Sequence, residues 1–176
     1  MKISRIVILI AAVLLQQNQC VAQTKDVYEV CRSGDTSTLK VMLQQNPSLI
    51  DVKQSNGFTP LIIATYNGQA EISTILLQDG ADVNAQDKAG NTALMGLCFN
   101  GNTALVKLLL NNKVAVNALN FNHASALIFA ATFGHVEIIK LLLKAGADKT
   151  IKDVNGKTAL DQAMMQGNEI VVGLLK

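Results

Sequence analysis

One short stretch recurs along this chain at a fixed interval. Thr59-Pro60-Leu61 is followed at thirty-three-residue steps by Thr92-Ala93-Leu94, Ser125-Ala126-Leu127 and Thr158-Ala159-Leu160. Self-similarity at such a period marks a stacked array, in which each unit buries its apolar side only against its neighbours. The period therefore constrains the fold more than any other feature of the sequence.

The copy from about residue 57 to 89 shows the physics of one unit. Thr59 is a helix N-cap, and Pro60 at the next position has its φ preset and no N–H left to satisfy. Leu61 and Ala64 form a narrow apolar face, and Gly68 permits a tight reversal into a second helix. Ile72, Ile75 and Leu76, spaced by three and four, put the stripe of that second helix on one side. Gly80 ends it, and an extended, turn-rich finger runs on to Gly90. The later copies repeat the plan with Leu105, Leu108 and Leu109, then Ile138, Leu141 and Leu142, then Val171, Leu174 and Leu175 as stripes.

Departures from the plan are local. Lys113 stands where Gly80 and Gly146 stand, so the helix before it must either accept a left-handed residue with a Cβ, at about 1–2 kcal/mol, or end early at Asn112. The first copy, about 24–56, carries Val27, Val30 and Cys31, then Leu39, Met42 and Leu43, with an interhelical turn read as one residue longer than in the others. Pro47 stops its second helix. The last copy, 156–176, has no finger after it, and both end units read as caps.

Each unit resembles an ankyrin repeat, whose pattern is Thr-Pro-Leu-His followed by two helices and a β-turn finger. The likeness covers about residues 26–176 and implies an all-α solenoid of helix-turn-helix units with β-turn fingers, the units being 24–56, 57–89, 90–122, 123–155 and 156–176. Only one copy keeps the proline, Ser125 replaces threonine, and the motif histidine is replaced by Ile62, Met95, Ile128 and Asp161. The replacements remove the side-chain hydrogen bonding that the family's histidine supplies between units.

The resemblance also implies non-catalytic protein binding through a concave face and finger tips. Of seven Phe and Tyr residues, five fall on positions that the family leaves variable and uses for partners: Phe58, Tyr66, Phe99, Phe121 and Phe133. Phe129 takes a core position, and Tyr28 belongs to the first unit. Lys88, Asn91, Asn122 and Thr132 complete the expected contact surface, with Ser55 and Asn56 beside them. Rigid rings contribute large contact area at low side-chain entropy cost, which is why such positions become hot spots. The same rings can instead brace their own fingers and neighbouring helices.

The N-terminus reads as a signal peptide, residues 1–22: Lys2 and Arg5, an apolar run of ten residues from Ile6 to Leu15, and a polar stretch ending at Ala22. That run is about half the length a membrane-spanning helix needs. Lipid attachment at Cys20 is a weaker alternative, because Gln17-Asn18-Gln19 does not resemble a lipobox. Cleavage leaves 154 residues, 23–176, as one domain with thirteen charges of each sign, which removes the electrostatic basis for a nucleic-acid partner. The expected product is exported, monomeric alone and not inserted in the membrane; a bacterial periplasm is its expected place, with secretion as the alternative. An accessory or inhibitor of an exported enzyme, or a secreted factor acting on a foreign or host protein, are rival readings of the same surface.

No enzyme, metal or cofactor signature appears in the residues. His123 occupies a finger position that is glycine in neighbouring copies, and His135 lies in a Gly-His turn; neither has a partner at metal-ligand spacing. Cys31 and Cys98 share one repeat position with Thr65 in the copy between them, which places the sulfurs beyond the approximately 7 Å Cα limit of a disulfide. They are expected to be small buried residues.

Overall fold

The computed structural model describes residues 26–176; the signal-peptide reading of residues 1–22 and the reading of Cys20 lie outside the described residues. Helices come in pairs: α1 (Val27–Ser33) with α2 (Thr36–Gln45), α3 (Pro60–Tyr66) with α4 (Ala70–Gln78), and α5 (Ala93–Asn100) with α6 (Thr103–Leu110). Then follow α7 (Ala126–Thr132) with α8 (Val136–Lys144), and α9 (Ala159–Met165) with α10 (Glu169–Leu175). The only β pairing among the described residues is the isolated bridge between Gln86 and Thr92 inside one finger. The all-α repeat solenoid implied by the sequence is the fold. None of the described helices is long and apolar enough to cross a membrane.

Local chemistry sets each helix start. Thr59, Thr92, Ser125 and Thr158 accept through their hydroxyl oxygens from the N–H groups of Ile62, Met95, Ile128 and Asp161 at 3.2–3.4 Å. Thr59, Thr92 and Ser125 are buried, so these bonds satisfy polar groups that water cannot reach. Asp161, in the place of the motif histidine, accepts in return from the Thr158 N–H and hydroxyl, and these two bonds hold its carboxyl below the usual carboxylate range. That reciprocal pair is a capping box.

The first helices α1, α3, α5, α7 and α9 stack in one row, each packed on the next. Small buried residues on their contact sides, Ala64, Ala93, Ala126, Ala130 and Ala163, let the backbones approach closely. In the second row α2 packs on α4, α6 on α8 and α8 on α10. A single apolar core runs the length of the stack from Val27 to Leu175.

The buried stripe of the second helices is shifted slightly from the expected one. Val106 and Ile139 are fully buried, whereas Leu108, Leu141 and Leu174 are half-buried. The three middle second helices α4, α6 and α8 each insert two adjacent residues and one a turn later, as with Leu105, Val106 and Leu109. In α6 and α8 the residue next in sequence sits deeper than the one three positions on, because the helix leans on its own first helix as well as its neighbour.

The first unit corrects a second expectation. Its interhelical turn, Gly34-Asp35, is as short as Gly101-Asn102. The Asp35 N–H bonds to Val30 O as Gln69 bonds to Ala64 O thirty-four residues on, yet Asp51 accepts from Asp82 as Asn84 accepts from Ala115, thirty-three residues on. The additional residue therefore lies between Asp35 and Asp51, and it falls within α2. That helix has ten residues against nine in α4, and its C-cap bond from Asn46 to Met42 O already matches Asp79 to Ile75 O at thirty-three, ahead of the 3-10 turn Pro47–Asp51. Lys113 takes the left-handed alternative, with φ 58°, and His123 does the same at φ 56° in the place of a finger glycine.

Hydrogen bonds repeated from unit to unit join the fingers. Lys88, Phe121 and Val154 each donate a backbone N–H to the preceding finger, at Asn56, Ala89 and Asn122, all at 3.0 Å. Lower down, Asp51, Asn84 and Asn117 accept from Asp82, Ala115 and Asp148 at 2.7–3.0 Å. Polar links at the interhelical turns replace those expected of the missing histidines: Gln69 donates to Arg32 O, Asn100 to Tyr66 O, and His135 Nε2 lies 3.2 Å from Phe99 O.

Candidate functional site

The side of the stack formed by the first helices and the fingers carries a cavity of ≈ 200 Å³. Its walls come from three successive units. Tyr66 and Ile62 project from α3, Met95, Gly96 and Phe99 from α5, and Phe129 from α7, while Phe58, Asp87 and Asn91 close it from the finger side. No second-helix residue lines it. The helical register explains the convergence: the position just before the turn carries an aromatic in two adjacent copies, Tyr66 and Phe99.

Of the residues expected to bind a partner, Phe58, Tyr66, Asn91 and Phe99 share this cavity. Phe133, the C-terminal cap residue of α7, adjoins it through an edge-to-face contact with Phe99, ring centroids 4.6 Å apart. The Phe133 ring also lies near-parallel to the His135 ring, with centroids 6.4 Å apart. Among the described residues Tyr66, Phe99 and Phe133 remain 53%, 45% and 45% exposed, so about half of each side chain is open to solvent. Phe121 stands apart on a finger, 68% exposed, with its ring edge against Gly90. A Cβ on Gly90 would come within 2.7 Å of that ring, and the φ of +78° independently favours glycine there.

The remaining positions differ in what their side chains are free to do. Lys88 and Asn122 are exposed at the finger tips. Thr132 is half-buried, and its hydroxyl donates to Ile128 O, so it offers a partner little. Asn91 is engaged on both sides: its amide donates to Asp87 Oδ2 at 3.3 Å and its oxygen accepts from Asn120 at 2.8 Å. Phe129 corrects the sequence reading. Expected in the core, it is half-buried and lines the cavity instead.

Asn120 was not legible as a site-supporting residue. It is 5% exposed, its oxygen accepts from the N–H groups of Asn122 and Ala124 at 3.0 and 2.9 Å, and its amide holds Asn91. Asp87 has the same role in the preceding unit, accepting from Ala89 and Asn91 at 2.8 Å. The shared signal is an Asp or Asn recurring at thirty-three-residue spacing, Asp87, Asn120 and Asp153, which sequence reading passed over in favour of the aromatics.

Cys31 and Cys98 are free and buried. Burial, aided by the nearby Asp26 charge, pushes the Cys31 thiol up to about 12, and burial alone pushes Cys98 up. Thiols held protonated in this way are poor nucleophiles. Among the described residues no group of three or more His, Cys, Asp and Glu side chains is placed to hold a metal ion.

Comparison with known families agrees with this architecture. A model of ankyrin repeats in three copies matches residues 9–87 and 94–176, and one of ankyrin repeats in many copies matches residues 73–110. Members of that family are generally protein–protein interaction modules and typically non-catalytic. With nearly the whole chain matched and five helix pairs stacked through their first helices, the protein belongs to the ankyrin repeat family.

Proposed function

We propose that this protein is a non-catalytic binding module that holds a partner protein on its first-helix and finger face, with Phe58, Tyr66, Phe99 and Phe133 as anchors and Phe121 as a peripheral contact. The observation that carries this reading is the exposure of Tyr66, Phe99 and Phe133 around one apolar cavity. Large rings left uncovered on a preformed surface bind at low ordering cost, because the stack fixes their positions before the partner arrives. Alanine at Phe99 and Phe121 abolishes capture of a partner from a cell-envelope extract while leaving the circular dichroism spectrum unchanged. Capture that survives both substitutions overturns the assignment of the face.

Export to a periplasm belongs to the same proposal. It is supported by Lys2 and Arg5 followed by the apolar run Ile6–Leu15. An osmotic-shock fraction containing a chain that starts at Gln23 is the expected result, whereas a cytoplasmic chain retaining Met1 overturns it. Recovery from the medium would place the protein outside the cell.

A further inference from the structure

The cavity is not uniformly apolar, and its one charged wall residue points to what enters it. Asp87 is the single ionisable side chain lining it apart from the Tyr66 phenol, and like Phe58 and Asn91 it comes from the fingers, whereas Tyr66 and Phe99 come from the helices. Three neutral donors hold the carboxylate: the N–H groups of Ala89 and Asn91 on Oδ1, and the Asn91 amide on Oδ2. A carboxylate offers about four acceptor positions, so one on Oδ2 remains. Among the described residues no Lys, Arg or His lies within ion-pair distance of it, the ion pairs being Arg32 with Glu29 and Lys140 with Glu137. The helices α3, α5 and α7 carry no charged residue at all, so nothing on the helix side repels a cation.

We infer that the cavity takes an arginine side chain of the bound partner, its guanidinium lodged among Phe58, Tyr66 and Phe99 with one N–H donated to Asp87 Oδ2. The inference rests on the protein-binding reading and adds the chemistry of the anchor. Aromatic rings attract cations through their negative faces, and the attraction grows where water is excluded. Of the two basic side chains, arginine fits better. Its planar, weakly hydrated guanidinium can stack on a ring while still donating hydrogen bonds at its edge, whereas a lysine ammonium must shed a tighter water shell. The long apolar stem then lies against Ile62, Met95 and Gly96, which make the floor apolar.

The purified protein, titrated with N-acetyl-arginine amide and followed by NMR, shows saturable shifts of the Phe58, Phe99 and Phe129 ring signals. The neutral isostere N-acetyl-citrulline amide binds at least about fivefold more weakly, as does arginine amide to Asp87→Asn, which keeps the Oδ1 acceptor of the finger turn and removes the charge. Phe99→Leu, which keeps the apolar volume, loses a similar factor for arginine amide and none for N-acetyl-leucine amide. Equal binding of citrulline or leucine amide, an unaffected Asp87→Asn variant, or no saturable shift at millimolar arginine amide overturns the inference. Those outcomes leave the face itself in place if Phe99→Ala still abolishes partner capture; capture insensitive to Phe99→Ala removes the wider reading instead.

Discussion

The two rows of helices bury their inner sides in one core but differ on their outer sides. Helices α3, α5 and α7 of the first row contain no charged residue, and around them Tyr66, Phe99 and Phe133 stand exposed. Helices α4, α6 and α8 of the second row carry Glu71, Lys107, Glu137, Lys140 and Lys144 on their solvent side. The hollow on that side, between α2 and α4, is bordered by Lys40, Gln44, Gln78 and Asp79. A repeat protein needs polar outer surfaces to remain soluble, and the second row has one. Exposed rings on the first row do nothing for the core, and this contrast is what supports the proposed binding face on that side of the stack.

The comparison breaks first at the fingers if their support is removed. Asn120→Ala strands the buried Ala124 N–H, frees the Asn91 side chain and leaves the cavity wall loose. A buried unpaired group costs about 1–3 kcal/mol, so urea unfolding is expected to show a loss of about 2–3 kcal/mol. A loss under 0.5 kcal/mol, as for an ordinary surface change, would mean that the fingers stand without this network. Next in size is the difference in binding between the rows. Phe99→Ala is expected to weaken partner binding by about 30-fold, the scale of a hot spot, and Lys107→Ala on the second row by less than about twofold. Calorimetry on the captured partner checks both, and equal effects would erase the distinction.

The fold was legible because its determinants are local and repeated. Caps at Thr59, Thr92, Ser125 and Thr158 follow from one hydroxyl and the N–H three residues on, so four copies of the motif gave four helix starts. What misled was degeneracy. Leu39, Met42 and Leu43 match the stripe Ile72, Ile75 and Leu76 at thirty-three residues, yet the turn before them pairs Asp35 with Gln69 at thirty-four, and the difference is taken up inside α2, which is one residue longer than α4. Phe129 misled differently, because an aromatic amid Ala126, Ala130 and Ala131 looks like core until the neighbouring unit is seen to leave a cavity beside it. The Asn91–Asn120 bond joins residues twenty-nine apart, and a pattern read within one unit does not contain it.

Two glycines sharpen the contrast at smaller size. Gly96 in α5 and Gly173 in α10 have helical backbones, and an added Cβ meets only the Tyr66 ring at 3.9 Å in the first case and nothing within 4 Å in the second. Alanine at either site is expected to stabilise the fold by about 0.5–1 kcal/mol through helix propensity. Only Gly96→Ala puts a methyl group into the cavity wall, so only that variant changes binding to arginine amide or to the partner. Stabilisation without any change in binding at Gly96 would argue that ligands do not reach the cavity floor.

The smallest effect belongs to the second row and tests whether its charges are merely solvated. Lys140 donates to Glu137 at 2.7 Å, with the two side chains 52% and 69% exposed. At that exposure water and salt screen the attraction, while holding two long side chains in one geometry costs entropy. Lys140→Ala is therefore expected to change unfolding free energy by less than about 0.5 kcal/mol, and alanine's helix propensity offsets some of even that. Thermal melts at low and high salt should show the same small difference. A loss of about 2 kcal/mol or more would mean that the outer charges of α8 hold a structure of their own, and the second row would no longer be the inert side of the stack.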